Sequence, residues 1–184
     1  MADMNWDEVD MGAEEVTEDD VADIESGGAS VPVGVYLCTV VESKPKQIDF
    51  NAYSCLGVSL TFEINQCLEI EGKSVTGNEG ENFEGRNIYD DVAFADSDGK
   101  EKAGMMKRRK YVALRLGVIA PGGKLTRKSW EEDVIGKQIK IKLEENVYTD
   151  KNTGEEKVGR PQVGFFSGYM KVEEKTEVQT WDEI

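Results

Sequence analysis

The chain has 184 residues, with 22 Lys and Arg against 37 Asp and Glu and no His, a formal net charge of −15. Without histidine there is no Ser-His-Asp or Cys-His catalytic group and no His-dependent metal site, so an enzyme would be left with carboxylate, Lys or Tyr chemistry. Cys38, Cys55 and Cys67 stand 17 and 12 residues apart with no CxxC pair, which argues against structural zinc and for thiols packed on strands in a reducing compartment.

Charge is distributed unevenly. Residues 1–30 hold eleven acids and no base, and residues 173–184 hold five acids against Lys175 alone, so the body between them carries 21 charges of each sign. Three regions follow: an acidic disordered leader over 1–30, one domain over 31–172, and an acidic C-terminal tail over 173–184. A neutral body with two acidic tails is compatible with an acidic ligand, nucleic acid included. The longest apolar stretches, such as Val31 to Val41, fall far short of the roughly 18 residues a membrane helix needs. The acidic opening is unlike a targeting segment, and the expected location is the cytoplasm.

From Pro32 the residues follow period two, with Val33, Val35, Leu37, Thr39 and Val41 against Gly34, Tyr36, Cys38 and Val40, which predicts a well-buried first strand. Glu42 to Ser54 is too long for a tight hairpin and reads as a loop or as strand ends that bend. Leu56, Val58, Leu60, Phe62 and Ile64 then share one face of a second strand, with Gly57, Ser59, Thr61 and Glu63 on a wet face. Four glycines between residues 71 and 85 mark a loop before a third strand at Arg86 to Phe94.

The spacing turns helical from Ala103, with Met105, Val112, Leu116 and Ile119 on one side and Pro121-Gly122-Gly123 as the expected stop. Ser129 and Glu132 have the spacing of a capping box for one further helical turn, ended by Gly136. Ile139, Ile141 and Leu143 alternate with Lys140 and Lys142 in a fourth strand. Residues 150–160 read as a polar hairpin loop, and Pro161 to Val172 as the fifth strand. Strand, strand, strand, helix, strand, strand is the order of an oligonucleotide-binding (OB) fold: a mainly β, five-stranded Greek-key barrel with one helix between strands three and four. A small β-sandwich with a stray helix would use similar segments.

Candidate chemistry concentrates in two patterns. Between Lys100 and Lys128 there are ten bases, Lys107, Arg108 and Arg109 among them, and one acid, a run that a phosphate backbone could use. Elsewhere aromatics interleave with cations: Lys44, Lys46, Phe50 and Tyr53 in the first connection, Arg86 and Tyr89 on strand three, and Tyr148 and Arg160 about the last hairpin. Bases stack on aromatic faces while cations track phosphates, which is the physics of single-strand binding. Lys140 and Lys142 add charge on a wet strand face. Asp90 and Asp91 are adjacent on a strand and point to opposite faces, so they do not chelate one metal side by side, and a carboxylate nuclease is disfavoured. No cofactor or metal is expected.

Val31-Pro32-Val33-Gly34-Val35-Tyr36 after an acidic leader, Leu60-Thr61-Phe62-Glu63-Ile64, Val134-Ile135-Gly136-Lys137 before Ile139-Lys140-Ile141, and Gly159-Arg160-Pro161-Gln162-Val163 together resemble phage-encoded single-stranded DNA-binding proteins with an OB fold. The family includes members found near replication and recombination genes. The resemblance covers most of residues 31–172. It implies a non-enzymatic protein in the host cytoplasm that coats exposed DNA strands during replication, recombination and repair. The tail, Thr180-Trp181-Asp182-Glu183-Ile184, resembles the acidic tips by which such proteins recruit replication and repair partners, although those tips commonly end in Phe. Trp181, Asp182, Glu183 and Ile184 are the residues that the role would fall to, and homo-oligomerisation is compatible with it. The rival expectation is an acidic protein-binding module or DNA mimic, whose leader meets a basic surface on a host protein.

Overall fold

The chain divides into two units, Met1–Ser30 and Val31–Ile184. A computed structural model describes residues 30–50, 53–96 and 103–172. The expectations for the acidic leader, the tail residues Trp181, Asp182, Glu183 and Ile184, and Lys100 and Lys102 therefore lie outside the described residues.

The described part is mainly β: one antiparallel seven-stranded sheet with a single α-helix among the described residues. The strands are β1 (Gly34–Asp49), β2 (Ser54–Ile70), β3 (Lys73–Ser74), β4 (Asn87–Asp96), β5 (Gln138–Thr149), β6 (Glu156–Val163) and β7 (Tyr169–Met170), and the helix α1 (Ala103–Arg115) lies between β4 and β5. The hydrogen-bonded path runs β3-β2-β1-β5-β6, with β4 on β2 and β7 on β5. Five strands were expected and seven are present. β3 is a two-residue return on the end of β2; β6 already starts at Glu156, inside the stretch expected as hairpin loop, and the strand expected over Pro161 to Val172 is interrupted by a turn between Val163 and the short β7. No ladder joins β4 to β6, so the sheet is open there.

The core is built from the faces that the alternation sets. Tyr36, Cys38 and Val40 of β1, Val58, Leu60, Phe62 and Ile64 of β2, and Ile139 and Ile141 of β5 are almost fully buried, with Val112 and Ala113 of α1 and Trp130 packed against them. Burial pushes the Cys38 thiol up to about 12, as an apolar surrounding disfavours the thiolate.

Two irregularities in the sheet shape the site. The β1–β2 register shifts between Val40 and Glu42, a bulge at Val41 that swaps which parity of β1 faces the core. Ser43 and Pro45 thereby share the strand face of their partners Leu60 and Val58, Pro45 exposed out along the arm, and Lys44, Lys46 and Ile48 take the outward face. Only residues 34–39 of β1 pair with β5; beyond the bulge the strand continues with β2 as a long arm. Of the two expectations for the connection, a loop or strand ends that bend, the second holds, since it is mostly strand: Asp49 pairs with Ser54, and the Phe50 N–H donates to the Tyr53 carbonyl at 2.9 Å. A second shift between Leu56 and Gly57, against β4, leaves Leu56 61% exposed instead of in the core.

At Gly57 a β-carbon would lie 2.3 Å from the Val92 carbonyl oxygen and 2.8 Å from Ile48 Cδ1. Ile48 thus lies over a position that only glycine fills without moving strand β4. Gly57→Ala is expected to destabilise the fold by about 1–3 kcal/mol, measured as a lowered urea midpoint with an unchanged m-value.

The helical segments end by local chemistry that differs from the expectation. Helix α1 stops at Arg115, ahead of the Pro121-Gly122-Gly123 run: Gly117 adopts a positive φ of 68°, its N–H bonds the Leu114 carbonyl, and the Val118 N–H bonds that of Ala113. Those two bonds are a Schellman cap. In the capping box near residue 129, Ser129 is the inner member: the Thr126 hydroxyl accepts from the Ser129 N–H and the Ser129 hydroxyl accepts from the Thr126 N–H. The turn it opens, Ser129–Asp133, is π-helical and brings the Trp130 carbonyl to the Ser43 hydroxyl at 2.5 Å. Among the described residues no helix is long and apolar enough to cross a membrane.

Candidate functional site

The outward face of the β1–β2–β4 arm, helix α1 and the end of β6 enclose a groove of about 850 Å³, within the range of sites that bind ring-sized ligands. Three separate pieces of chain bring aromatics to it: Phe50 and Tyr53 from the tip of the β1–β2 hairpin, Tyr89 from β4, and Phe165 from the turn after β6. Phe50 and Tyr53 are stacked, with ring centroids 5.1 Å apart and planes 28° from parallel. Tyr89 is 65% exposed, and Phe50 is exposed beside it on the groove wall. Backbone pairing explains the alignment, since Tyr89 lies opposite Thr61 and Asp91 opposite Ser59, on the same outward face as Lys44 and Lys46.

The cations are arranged differently from the aromatics. Lys46 lines the groove and holds Asp91 at 2.8 Å. Lys44 is exposed and pairs with Glu42 at 2.7 Å. Lys107 is exposed on α1, one turn beyond Gly104 of the groove wall.

Arg108, expected as a phosphate contact, is 7% exposed and is committed to the fold. Its Nη2 donates to Asp90 Oδ2 at 2.6 Å, Nη1 to the Asp91 carbonyl at 2.8 Å and Nε to the Phe165 carbonyl at 3.0 Å. The buried Tyr169 hydroxyl donates to the same Asp90 oxygen. Burial raises the Asp90 carboxyl above the usual carboxylate range against the pull of Arg108. Burial and the facing Asp90 raise Tyr169 and keep its hydroxyl protonated. This cluster ties β4, α1 and the β6–β7 segment together across the side of the sheet that lacks a ladder. Asp90 and Asp91 indeed diverge, one to this cluster and one to Lys46.

Arg109 lies outside the groove. It lines a second cavity of about 650 Å³ on the opposite face of the arm, with Trp130 and Leu56, and its Nη1 donates to the Phe94 carbonyl at 3.2 Å. The Arg86 guanidinium lies 5.5 Å from the Phe83 ring centroid. Lys140 and Lys142 are half-buried on β5 opposite Leu37 and Val35, with Lys142 3.7 Å from Glu144, and they line neither cavity. Tyr148 is 48% exposed on the β5–β6 hairpin, opposite Lys157, and Arg160 is exposed on β6 two residues before Gln162 of the groove wall. The groove thus unites Lys46, Phe50, Tyr53, Tyr89 and Arg108 of the expected set.

Phe165 was missed. The available signal was Gly164-Phe165-Phe166-Ser167-Gly168, two adjacent aromatics between glycines inside what otherwise reads as a strand. Among the described residues no group of three or more Cys, Asp or Glu is placed to hold a metal ion.

No family model matches the chain, and no curated protein matches it.

Proposed function

We propose that the protein is a non-enzymatic, phage-encoded single-stranded DNA-binding protein that coats exposed strands in the host cytoplasm during replication, recombination and repair. The observation that carries the reading is the convergence of Phe50, Tyr53 and Tyr89 in one open groove from two separate elements. Exposed rings on a rigid sheet suit sequence-independent stacking of unpaired bases.

The strand connectivity supports an OB-type barrel as the scaffold. β2 joins β1 to β4, β5 joins β1 to β6, and the helix falls between β4 and β5, with β3 and β7 as short additions. In that architecture the second and third long strands and the flanking loops form the binding face, the region occupied by Ser59, Tyr89, Phe50 and Tyr53. Partner recruitment through Trp181, Asp182, Glu183 and Ile184 belongs to the same proposal.

Lys46 and Arg108 face Asp91 and Asp90, so phosphate neutralisation falls mainly to the more exposed Lys107 and Lys44, the latter held only by a surface pair with Glu42 that a phosphate can displace at little cost. A fluorescently labelled dT oligomer titrated by anisotropy at several salt concentrations tests the reading. Binding is expected to weaken with salt, and Lys44→Ala and Lys107→Ala are each expected to reduce the log–log slope by about 0.7. Absence of binding at any salt concentration would overturn the proposal.

A further inference from the structure

We infer that Phe165 is a further base-stacking residue, so that a bound strand is flanked by rings from both walls of the groove; the inference rests on the single-strand reading above. Phe165 lines the groove from the β6 side, away from the β1–β2–β4 arm that supplies the other rings, and its side chain is 53% exposed.

Its position is unusually well fixed for an exposed turn residue. The turn is closed by the Gly168 N–H donating to the Gly164 carbonyl at 3.0 Å. The Arg108 guanidinium both takes up the Phe165 carbonyl and lies 4.9 Å from its ring centroid, a cation–π contact on a partly desolvated ring. Phe166 meets the ring edge-on, with centroids 4.7 Å apart and planes 87° from parallel. Arg108 is itself anchored by Asp90, so the ring is held by a buried network before any ligand arrives. A pre-positioned ring forfeits little conformational freedom on binding.

Arg108 therefore acts on the ligand indirectly, as a positioning residue for Phe165. The neighbouring Phe166 is the internal comparison. It is also exposed, but it packs edge-on against Tyr111 at 5.8 Å and does not line the groove.

The test compares full-length wild type with Phe165→Ala, Phe165→Trp, Phe166→Ala and Phe50→Ala in titrations of labelled dT oligomer, with thermal melts of each. Phe165→Ala is expected to raise Kd about 5- to 150-fold, the range for loss of one base stack, with the salt slope unchanged because no charge is removed. Phe165→Trp should restore binding, and Phe166→Ala, which removes one contact on the Phe165 ring but no groove-lining side chain, should weaken binding clearly less than Phe165→Ala does. Equal affinity of Phe165→Ala and wild type, alongside weakened binding by Phe50→Ala, overturns this inference and leaves the single-strand reading intact. Failure of Phe165→Trp to restore affinity overturns it as well, since the ring would then be structural. A wild type that binds no dT removes the reading itself.

Discussion

Arg108→Ala is expected to lower the free energy of unfolding by about 3–5 kcal/mol near neutral pH, the range for removing one partner of a buried ion pair. The Arg108 and Asp90 side chains are 8% and 13% exposed, so water replaces the lost guanidinium poorly. The Phe165 and Asp91 carbonyls lose a donor at the same time. The pH dependence identifies the cause. Burial already raises Asp90 above its unfolded value, and Arg108 is the largest influence opposing that rise. Without Arg108 the folded-state value climbs further. A group raised on folding favours the folded state below its unfolded pKa, and that contribution is lost as pH rises through the folded value. The deficit of Arg108→Ala against wild type should therefore be largest at neutral pH and shrink as Asp90 is protonated in acid. Urea unfolding of both proteins across an acid-to-neutral series measures this, and a deficit that stays constant with pH would assign the loss to packing instead. Asp90→Asn in the Arg108→Ala background should remove most of the pH dependence.

The second large effect falls on binding with little change in stability. Phe50 and Tyr89 are 44% and 65% exposed, so Phe50→Ala, Tyr53→Ala and Tyr89→Ala in combination remove few core contacts. Loss of aromatic stacking is worth about 1–3 kcal/mol per base, and the combined variant should bind a dT oligomer at least about 100-fold more weakly than wild type. The three positions share one groove, so their single effects should not sum to that loss. Anisotropy titrations and thermal melts of the single and combined variants separate the two quantities. Unchanged affinity with all three rings absent would remove the groove from the site.

The alternation Val58-Leu60-Phe62-Ile64 and the spacing of Val112 with Leu116 were legible, because each records one face kept dry over several residues, and the buried set follows them. The bulge at Val41 was less legible. A single extra residue reverses the facing of everything after it, and the apolar residues on both sides of β1 blur the change of phase. That one shift decides that Lys46 and Ile48 line the groove and that Lys44 shares their face of the strand.

Charge was the least reliable guide. Lys107, Arg108 and Arg109 form one continuous run in the chain, yet helical geometry sends the first to solvent, the second into a carboxylate on β4 and the third to the Phe94 carbonyl. Asp90 carries no mark in the sequence as the partner of Arg108, because the contact joins residues 18 positions apart across a strand and a helix. The groove aromatics were more visible, since Phe50 and Tyr53 interleave with Lys44 and Lys46 and Tyr89 follows Arg86, although each ring taken singly read more readily as core or as a loop anchor. Phe165 lay inside a stretch that reads as strand, and only the turn between Gly164 and Gly168 pushes it to the surface.

The most direct test of the central claim is a side-by-side anisotropy titration of the full-length protein against a labelled dT oligomer and a duplex of equal length at one moderate salt concentration. Binding to the single strand that exceeds binding to the duplex by at least about tenfold is the predicted result, since stacking on the groove needs unpaired bases. Equal affinity for both forms would show that backbone charge alone carries the interaction, and no binding to either would contradict the account.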